Sequence, residues 1–237
     1  ETGNTQRDAL LNEGVRLHAN PGSSTVAEDL EPEYIAMASD DSTAFVIFQE
    51  NNAFGMVDMS TLTLTDIVPL GMKDYSEGCY DFSDRDGGAN LVCGAPVLSM
   101  YMPDAIATFT ADDGQDYILT ANEGDGREYE GTPGYTDEDR ADDLTLNATY
   151  WAEMGYDAEN ITALQADEHL GRLKVSTADG DLDGDGEHEM IVGYGARSMS
   201  IWDDSGSLVF DTGDMVSMLT QNCLLYTSDA ADERNSG

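Results

Sequence analysis

Two stretches of the chain repeat one pattern of apolar and polar positions. Residues 31–52 and 102–124 each contain a short apolar run, an Asp-rich polar turn, a second apolar run and an Asn/Glu cluster. Short apolar runs separated by polar turns are typical of strands joined in hairpins. The first copy continues with strand-like runs at 55–58 and 64–68. Four short strands in roughly 40 residues are the size of one propeller blade, so the pattern predicts an all-β, β-propeller-like fold with little helix.

The repeat also predicts how the chain is organised. Residues 1–28 are a lead-in to the first copy, and residues 29–222 are expected to form a partial, incomplete propeller domain. Acidic loop insertions are expected at 74–99, between the two copies, and at 127–166, where the strand pattern breaks. A long irregular stretch beside regular strands is typical of a loop on one face of a domain.

Strand patterns resume after the second insertion. Turn signals at 178–180 and 204–206 separate these runs, as expected for hairpins. Helix is predicted at 158–169 and at 7–18, where Leu10, Leu11 and Leu17 are candidates for one apolar face. The predicted later strands lie at 171–177, 189–195, 198–203 and 207–213.

The final segment is expected to be non-native. Its sequence "CLLYTSDAADE" resembles the translated end of a sequencing adaptor, so residues 223–237 are left out of the predicted domain. On this interpretation the sequence is a fragment assembled from environmental nucleic acid.

The charge balance limits the classes of partner. There are 48 Asp and Glu against 10 Lys and Arg, a net charge of −38. So few basic residues cannot neutralise a phosphate backbone, which excludes nucleic acid. A surface adapted to high salt and a surface facing calcium or mineral both fit this acidity. No apolar run reaches the length of about 18 residues that a membrane span needs.

The stretch "DLDGDGEHEMIVGYG", residues 181–195, has the spacing of a calcium loop. D-x-D-x-D-G offers carboxylates to one hard cation, and Gly186 permits a sharp turn. An EF-hand would need a bidentate Glu at loop position 12, which is Val192 here. The spacing therefore predicts a calcium loop between two strands, with a mainly structural ion. The predicted ligands are Asp181, Asp183, Asp185, the carbonyl of Glu187, and Glu189.

The cysteine pair Cys79 and Cys93 flanks a polar loop. In an extracellular protein the pair is expected to form a disulfide, and in a reducing compartment it would be two free thiols.

Several segments resemble the choice-of-anchor I family of extracellular proteins. They include "DLEPEYIA", "MYMPDAIATF", "TANEGDGREYEG" and "GARSMSIWDDSGSLVFDTGD", and they span residues 29–214. The domain is also similar to part of mesenchyme-specific cell-surface glycoproteins and to some atypical bacterial alkaline phosphatases, and its metal loop resembles the FG-GAP loop of integrin-type propellers. The resemblance implies an exported, β-propeller-like domain, often held at the surface by a separate anchor.

Within this resemblance, polar residues at equivalent strand ends of the repeats form a second candidate site. In a propeller such positions gather near the axis, which would create a cation site or a cation-bridged phosphate site with Arg127 and Arg197 contacting the anion. The alternative is that these side chains cap strands and satisfy turns. The candidates are Glu33, Glu50, Asn51, Asp104, Asn122, Glu123, Asp125, Arg127 and Arg197.

These patterns favour a calcium-binding extracellular or cell-surface β-propeller with a role in adhesion, matrix or mineral interaction. Its expected partners are calcium ions and matrix, mineral or cell-surface ligands. The alternative is a calcium-dependent phosphoesterase that resembles an alkaline phosphatase. No catalytic residue is assigned, because the sequence has no Gly-x-Ser-x-Gly motif and His18, His169 and His188 are scattered and expected at the surface.

Overall fold

A computed structural model of the chain describes residues 3–17, 24–112, 114–129 and 135–222. The segment expected to be non-native, 223–237, lies outside the described residues. Strands make up 36% and helices 17%, so the fold is mostly β with little helix, as predicted.

The helices and strands follow in chain order. The helices are α1 (Gly3–Glu13), α2 (Val26–Asp29), α3 (Ala148–Glu153), α4 (Ala158–Leu164) and α5 (Met215–Asn222). The strands are β1 (Pro32–Met37), β2 (Thr43–Phe48), β3 (Ala53–Asp58), β4 (Thr63–Pro69), β5 (Met72–Asp74), β6 (Cys79–Tyr80), β7 (Val92–Cys93), β8 (Val97–Met100), β9 (Ala105–Thr110), β10 (Asp116–Asn122), β11 (Glu128–Tyr129), β12 (Tyr135–Thr136), β13 (Glu138–Arg140), β14 (Lys174–Ser176), β15 (Ile191–Gly193), β16 (Ser198–Asp203) and β17 (Leu208–Asp211).

The chain divides into two compact units, which we call unit one and unit two. Unit one consists of the described residues within Glu1–Lys73, Met100–Thr136 and Tyr194–Thr212. Unit two consists of the described residues within Asp74–Ser99, Asp137–Gly193 and Gly213–Gly237.

The first copy of the sequence repeat forms a four-stranded antiparallel sheet in unit one. Its order is β1-β2-β3-β4, with each strand paired to the next along the chain. From Ala44 onward, β2 is buried along its whole length, and Phe45 packs edge-on against Phe54 of β3. A central strand covered on both faces is expected to be continuously apolar, as "AFVIF" is. The predicted four-strand unit is therefore present.

The second copy contributes only half of its sheet. β9 and β10 form the predicted hairpin, and β10 then pairs with β16, which pairs with β17. Trp202 of β16 anchors this pairing, since its indole N–H donates to the Thr120 hydroxyl at 2.9 Å and its ring packs edge-on against Tyr101. The sheet is thus completed by strands that lie far along the chain.

Helix α1 covers part of the first sheet. Leu10 packs in one buried cluster with Leu17, Val46 and Phe48. The helix begins and ends earlier than predicted, at Gly3 and Glu13. Leu11, expected on the same face as Leu10, is 37% exposed. Neighbouring residues of a helix point about 100° apart, so Leu11 lies toward the edge of the face that Leu10 buries.

Unit two has its own mixed sheet. Within this unit, neighbouring strands follow the order β13-β14-β15-β8, and β15 runs parallel to β8 with Ile191 opposite Val97. Residues 74–99, expected to be an inserted loop, therefore supply a strand next to one of the predicted later strands. The core of this unit includes Tyr75, Tyr80, Trp151 and other buried residues from the same segments.

Two helices of unit two lie in the stretch expected to be irregular. Asn147 caps α3, a helix the pattern did not predict, by accepting the backbone N–H groups of Thr149 and Tyr150. Helix α4 begins where it was predicted, after a capping box formed by Asp157 and Asn160, but it ends at Leu164. Cys79 and Cys93 lie opposite each other in the β6–β7 pair and are joined by a disulfide. Among the described residues, no helix has the length and apolarity required to cross a bilayer.

Candidate metal centre

The predicted calcium loop joins β14 to β15, which pair antiparallel through Val175 and Gly193. The Gly180 carbonyl accepts the backbone N–H groups of both Glu189 and Met190, at 2.9 and 3.1 Å, which holds the two ends of the loop together. Gly180 has a φ of +100°, and a Cβ at this position would lie 2.4 Å from the Met190 carbonyl oxygen. This closure therefore requires glycine.

The carboxylate of Asp181 organises the interior of the loop. It accepts the backbone N–H groups of Gly184, Asp185 and Gly186 at 2.7, 3.2 and 2.9 Å. These bonds lower the pKa of Asp181, and the bond from Gly186 contributes most. A carboxylate that accepts several N–H groups is stabilised in its charged form. The loop thus folds around an ionised aspartate.

Three carboxylates converge in this loop. Asp181, Asp183 and Glu189 each place one oxygen within 4.8 Å of the others. Glu189 is 8% exposed, and its Oε2 accepts the Leu182 N–H at 2.8 Å. Its Oε1 is buried with no hydrogen-bond partner among the residues that the structure describes. Clustered negative charges repel one another, and a buried oxygen without a partner is costly, so the residues present fit a calcium ion with oxygen ligands.

Two predicted ligands lie outside this group. Asp185 accepts the backbone N–H of Glu187 at 2.8 Å and is absent from the described set of three converging carboxylates. Ligation by Asp185 and by the carbonyl of Glu187 stays a prediction.

His188 corrects one sequence-based expectation. It was expected at the surface but is 7% exposed, because its backbone is bonded into unit two. Its N–H donates to Thr145, and its carbonyl accepts the N–H of Asn147 and the indole N–H of Trp151. The loop is therefore attached to the N-terminus of α3. The alternating acidic pattern around His188 gave no signal of this burial.

The asparagines of the second candidate site support strand ends. Asn51 accepts the N–H of Glu31 at 3.1 Å and donates to the carbonyls of Arg16 and Asp29 at 2.7 and 3.2 Å. Asn122 is also buried, and it donates to the hydroxyls of two serines in β16. Both amides therefore play the structural role that was the alternative interpretation.

The two arginines of that site lie in different surroundings. The Arg127 side chain is 1% exposed and forms an ion pair with the buried carboxylate of Asp29, whose carbonyl it also contacts at 2.9 Å. A buried guanidinium needs a fixed counter-charge, and Asp29 supplies it. Arg197 is half-buried at a φ of +49°, and its backbone N–H donates to the Asn122 carbonyl. The phosphoesterase alternative gains no support from these positions.

The carboxylates of the second candidate site lie close together in unit one. The pKa of Glu33 is raised, first by loss of hydration and then by the charge and hydrogen bond of Asp104. Asp125 and Glu31 act on Glu33 in the same direction. Glu50 is buried nearby, whereas Glu123 is exposed. Part of the predicted set therefore forms an acidic cluster.

The chain combines a mostly β fold with a loop in which three carboxylates converge. The model of the choice-of-anchor I domain matches residues 1–236, so the chain belongs to the choice-of-anchor I family and the resemblance seen in the sequence is confirmed. The matched range includes the segment expected to be non-native, and that expectation stays a prediction.

The matches to individual relatives cover only part of this chain. The chain is 30% identical over 105 residues to a mesenchyme-specific cell surface glycoprotein of Strongylocentrotus purpuratus. That match covers 44% of this chain but only 14% of the relative. The hydrazine synthase of Kuenenia stuttgartiensis aligns over 81% of this chain and 52% of that chain, with 16% identity and a TM-score of 0.22, which supports no conclusion.

Proposed function

We propose that this protein is a calcium-binding, β-propeller-like domain of an extracellular or cell-surface protein, and that its calcium is mainly structural. The observation that carries the proposal is the buried Oε1 of Glu189, which lacks a partner among the described residues and lies beside the carboxylates of Asp181 and Asp183. A cation there would compensate these charges and hold β14 to β15. The two blade-sized antiparallel sheets of unit one support the propeller-like arrangement.

The proposed location rests on separate observations. The family is named for its anchors, and the sea-urchin relative is described as a cell surface glycoprotein. The Cys79–Cys93 disulfide fits an oxidising compartment. A net charge of −38 suits a surface that meets calcium, matrix or mineral. We therefore place the domain's role in adhesion, matrix or mineral interaction.

The substitution Asp183→Asn tests the calcium loop. It removes one negative ligand while preserving side-chain shape, so the loop should lose most of its calcium affinity. We expect calcium at about 100 times the dissociation constant of the loop to raise the melting temperature of the wild type by about 5 °C or more, and the rise to be clearly smaller in the variant. The measurement is thermal unfolding in calcium and in chelator, with calcium binding followed by equilibrium dialysis.

The matched control is Asp167→Asn, which removes an exposed aspartate of the same unit outside the loop. This variant should keep the full calcium effect. An equal calcium-dependent rise in Asp183→Asn and wild type would show that the loop is not the site.

A further inference from the structure

We propose that unit one contains a second calcium site, independent of the loop in unit two, with Glu50 as its central ligand. The site is a cavity of about 250 Å³. Its lining residues are Glu31, Glu50, Asp125, Gly126, Arg127 and Glu128.

Glu50 occupies a rigid position in this cavity. It follows β2 in the tight turn before β3, where the N–H of Asn52 donates to the Gln49 carbonyl at 2.8 Å. The Glu50 carbonyl accepts a hydrogen bond from Arg16 at 3.3 Å. Most of Glu50 is enclosed by the surrounding protein, since the residue is only 9% exposed.

The carboxylate of Glu50 is incompletely satisfied. Its Oε2 is buried and has no hydrogen-bond partner among the described residues. Native proteins rarely leave such an oxygen unpaired, because it loses its hydration and gains nothing in return. Glu50 is one of the residues that line the cavity, so an ion bound there would lie beside its carboxylate group.

The charges around the cavity also favour a cation. Four acidic residues line it, and the guanidinium of Arg127, another lining residue, is paired with Asp29. Burial is the first cause that raises the pKa of Glu50 to about 7, and the negative charges of Glu31 and Glu33 add to it, whereas a hydrogen bond from its own backbone N–H and the charge of Arg127 lower it. A bound cation would reverse this effect by favouring the ionised carboxylate.

The donor set selects the kind of ion. The lining side chains offer carboxylate oxygens and no thiolate or imidazole, which suits a hard cation rather than a soft transition metal. A water molecule takes about 30 Å³ of liquid volume, so the cavity has room for an ion that keeps several waters. Calcium accepts six to eight oxygens in flexible geometry, which matches scattered carboxylates better than the strict octahedron of magnesium.

Glu50→Gln tests the proposal with little change in shape. Calcium stoichiometry and affinity are measured by equilibrium dialysis at about 0.15 M NaCl, where weak exposed sites are screened. The substitution is made in the wild type and in Asp183→Asn, so that each site is counted separately. We expect each single variant to bind one ion fewer than the wild type, or to bind it at least tenfold more weakly, and the double variant to lose both. Glu13→Gln, at an exposed residue of the same unit, should bind like the wild type.

The outcomes separate the two sites. Unchanged calcium binding in a folded Glu50→Gln overturns the second site, and a proton on Glu50 then accounts for its buried oxygen. Loss of all saturable binding in Asp183→Asn alone also overturns it, while leaving the loop in place. A loss of saturable calcium binding in Glu50→Gln, with none in Asp183→Asn, supports the second site and contradicts calcium binding by the loop. If circular dichroism shows that Glu50→Gln does not fold, Asp125→Asn at the exposed edge of the cavity is used instead. The same weakening of calcium binding is expected, and unchanged calcium binding again overturns the proposal.

Discussion

Glu50 and Glu189 share an unusual property at the scale of single residues. Each is a buried glutamate with one carboxylate oxygen that has no partner in the part of the chain that the structure describes. Their surroundings differ, because Glu189 receives the Leu182 N–H, whereas Glu50 receives its own backbone N–H and lies near the negative charges of Glu31 and Glu33. Burial, only partly offset by that hydrogen bond, raises the pKa of Glu50 to about 7.

In calcium-free buffer, the stability of the folded protein should depend on the protonation of Glu50. The pKa of Glu50 in the folded state, about 7, lies above its ordinary value of 4.5. The folded protein therefore binds this proton more tightly than the unfolded chain does. The contribution of Glu50 to stability is fully present below pH about 4.5 and is lost as pH rises through about 7, a change of about 3 kcal/mol.

Urea unfolding of the wild type and Glu50→Gln in chelator, at about pH 5 and about pH 8, measures this effect. Glutamine does not titrate, so the variant should gain stability relative to the wild type at the higher pH. Other carboxylates titrate in both proteins and cancel in the comparison. A difference between the two proteins that is the same at both pH values would contradict the predicted titration.

Only part of this residue-level detail could be predicted from the sequence. The two-residue spacing of Asp181 and Asp183 predicted a loop in which carboxylates converge, because that geometry is local. Glu50 and Asn51 are neighbours that the sequence pattern predicts equally as site residues. In the structure Glu50 lines a cavity, whereas Asn51 donates to backbone carbonyls. That difference depends on Arg16 and Asp29, which come from distant parts of the chain.

Among the strands, the local pattern of apolar and polar residues predicted where each strand forms better than it predicted which strands pair. β1 to β4 follow one another in a meander, so apolar periodicity and turn residues were sufficient. β10 instead pairs with β16, and β15 pairs in parallel with β8. Such pairings are fixed by packing between distant segments. The pattern within one short stretch of sequence carries no information about them.

The disulfide gives a prediction for the β6–β7 pair. Cys79 and Cys93 are separated by 14 positions, and closing a loop of that length stabilises a protein by about 3 kcal/mol in the chain-entropy model. Replacing both cysteines with serine should lower the free energy of unfolding by about that amount. Urea denaturation of the two proteins, with and without a thiol reductant, measures the change.

Reductant should lower the stability of the wild type toward that of the double serine variant and leave the variant unaffected. A variant as stable as the oxidised wild type would show that the disulfide contributes nothing to folding. The calcium loop lies in the same unit, so both proteins should be compared in saturating calcium.

At the scale of the whole molecule, charge is the dominant feature. A net charge of −38 destabilises a compact chain through self-repulsion. One or two calcium ions would neutralise only a small part of it, so the remainder depends on screening by salt. Site binding and general screening therefore make separable contributions to stability.

Salt and calcium should therefore raise the melting temperature independently. In chelator, raising NaCl from about 0.1 M to about 1 M shortens the Debye length from about 10 Å to about 3 Å, and the melting temperature should rise and then level off. Adding millimolar calcium at the high salt concentration should still raise it further, because the loop carboxylate of Glu189 is buried and screened less than the exposed acids. Scanning calorimetry of the wild type and Asp183→Asn makes the comparison, and the salt-dependent rise should be the same in both. If NaCl of equal ionic strength reproduced the whole calcium effect, calcium would be acting as a diffuse counterion, and the acidity of this chain would be an adaptation to salt rather than to a bound metal.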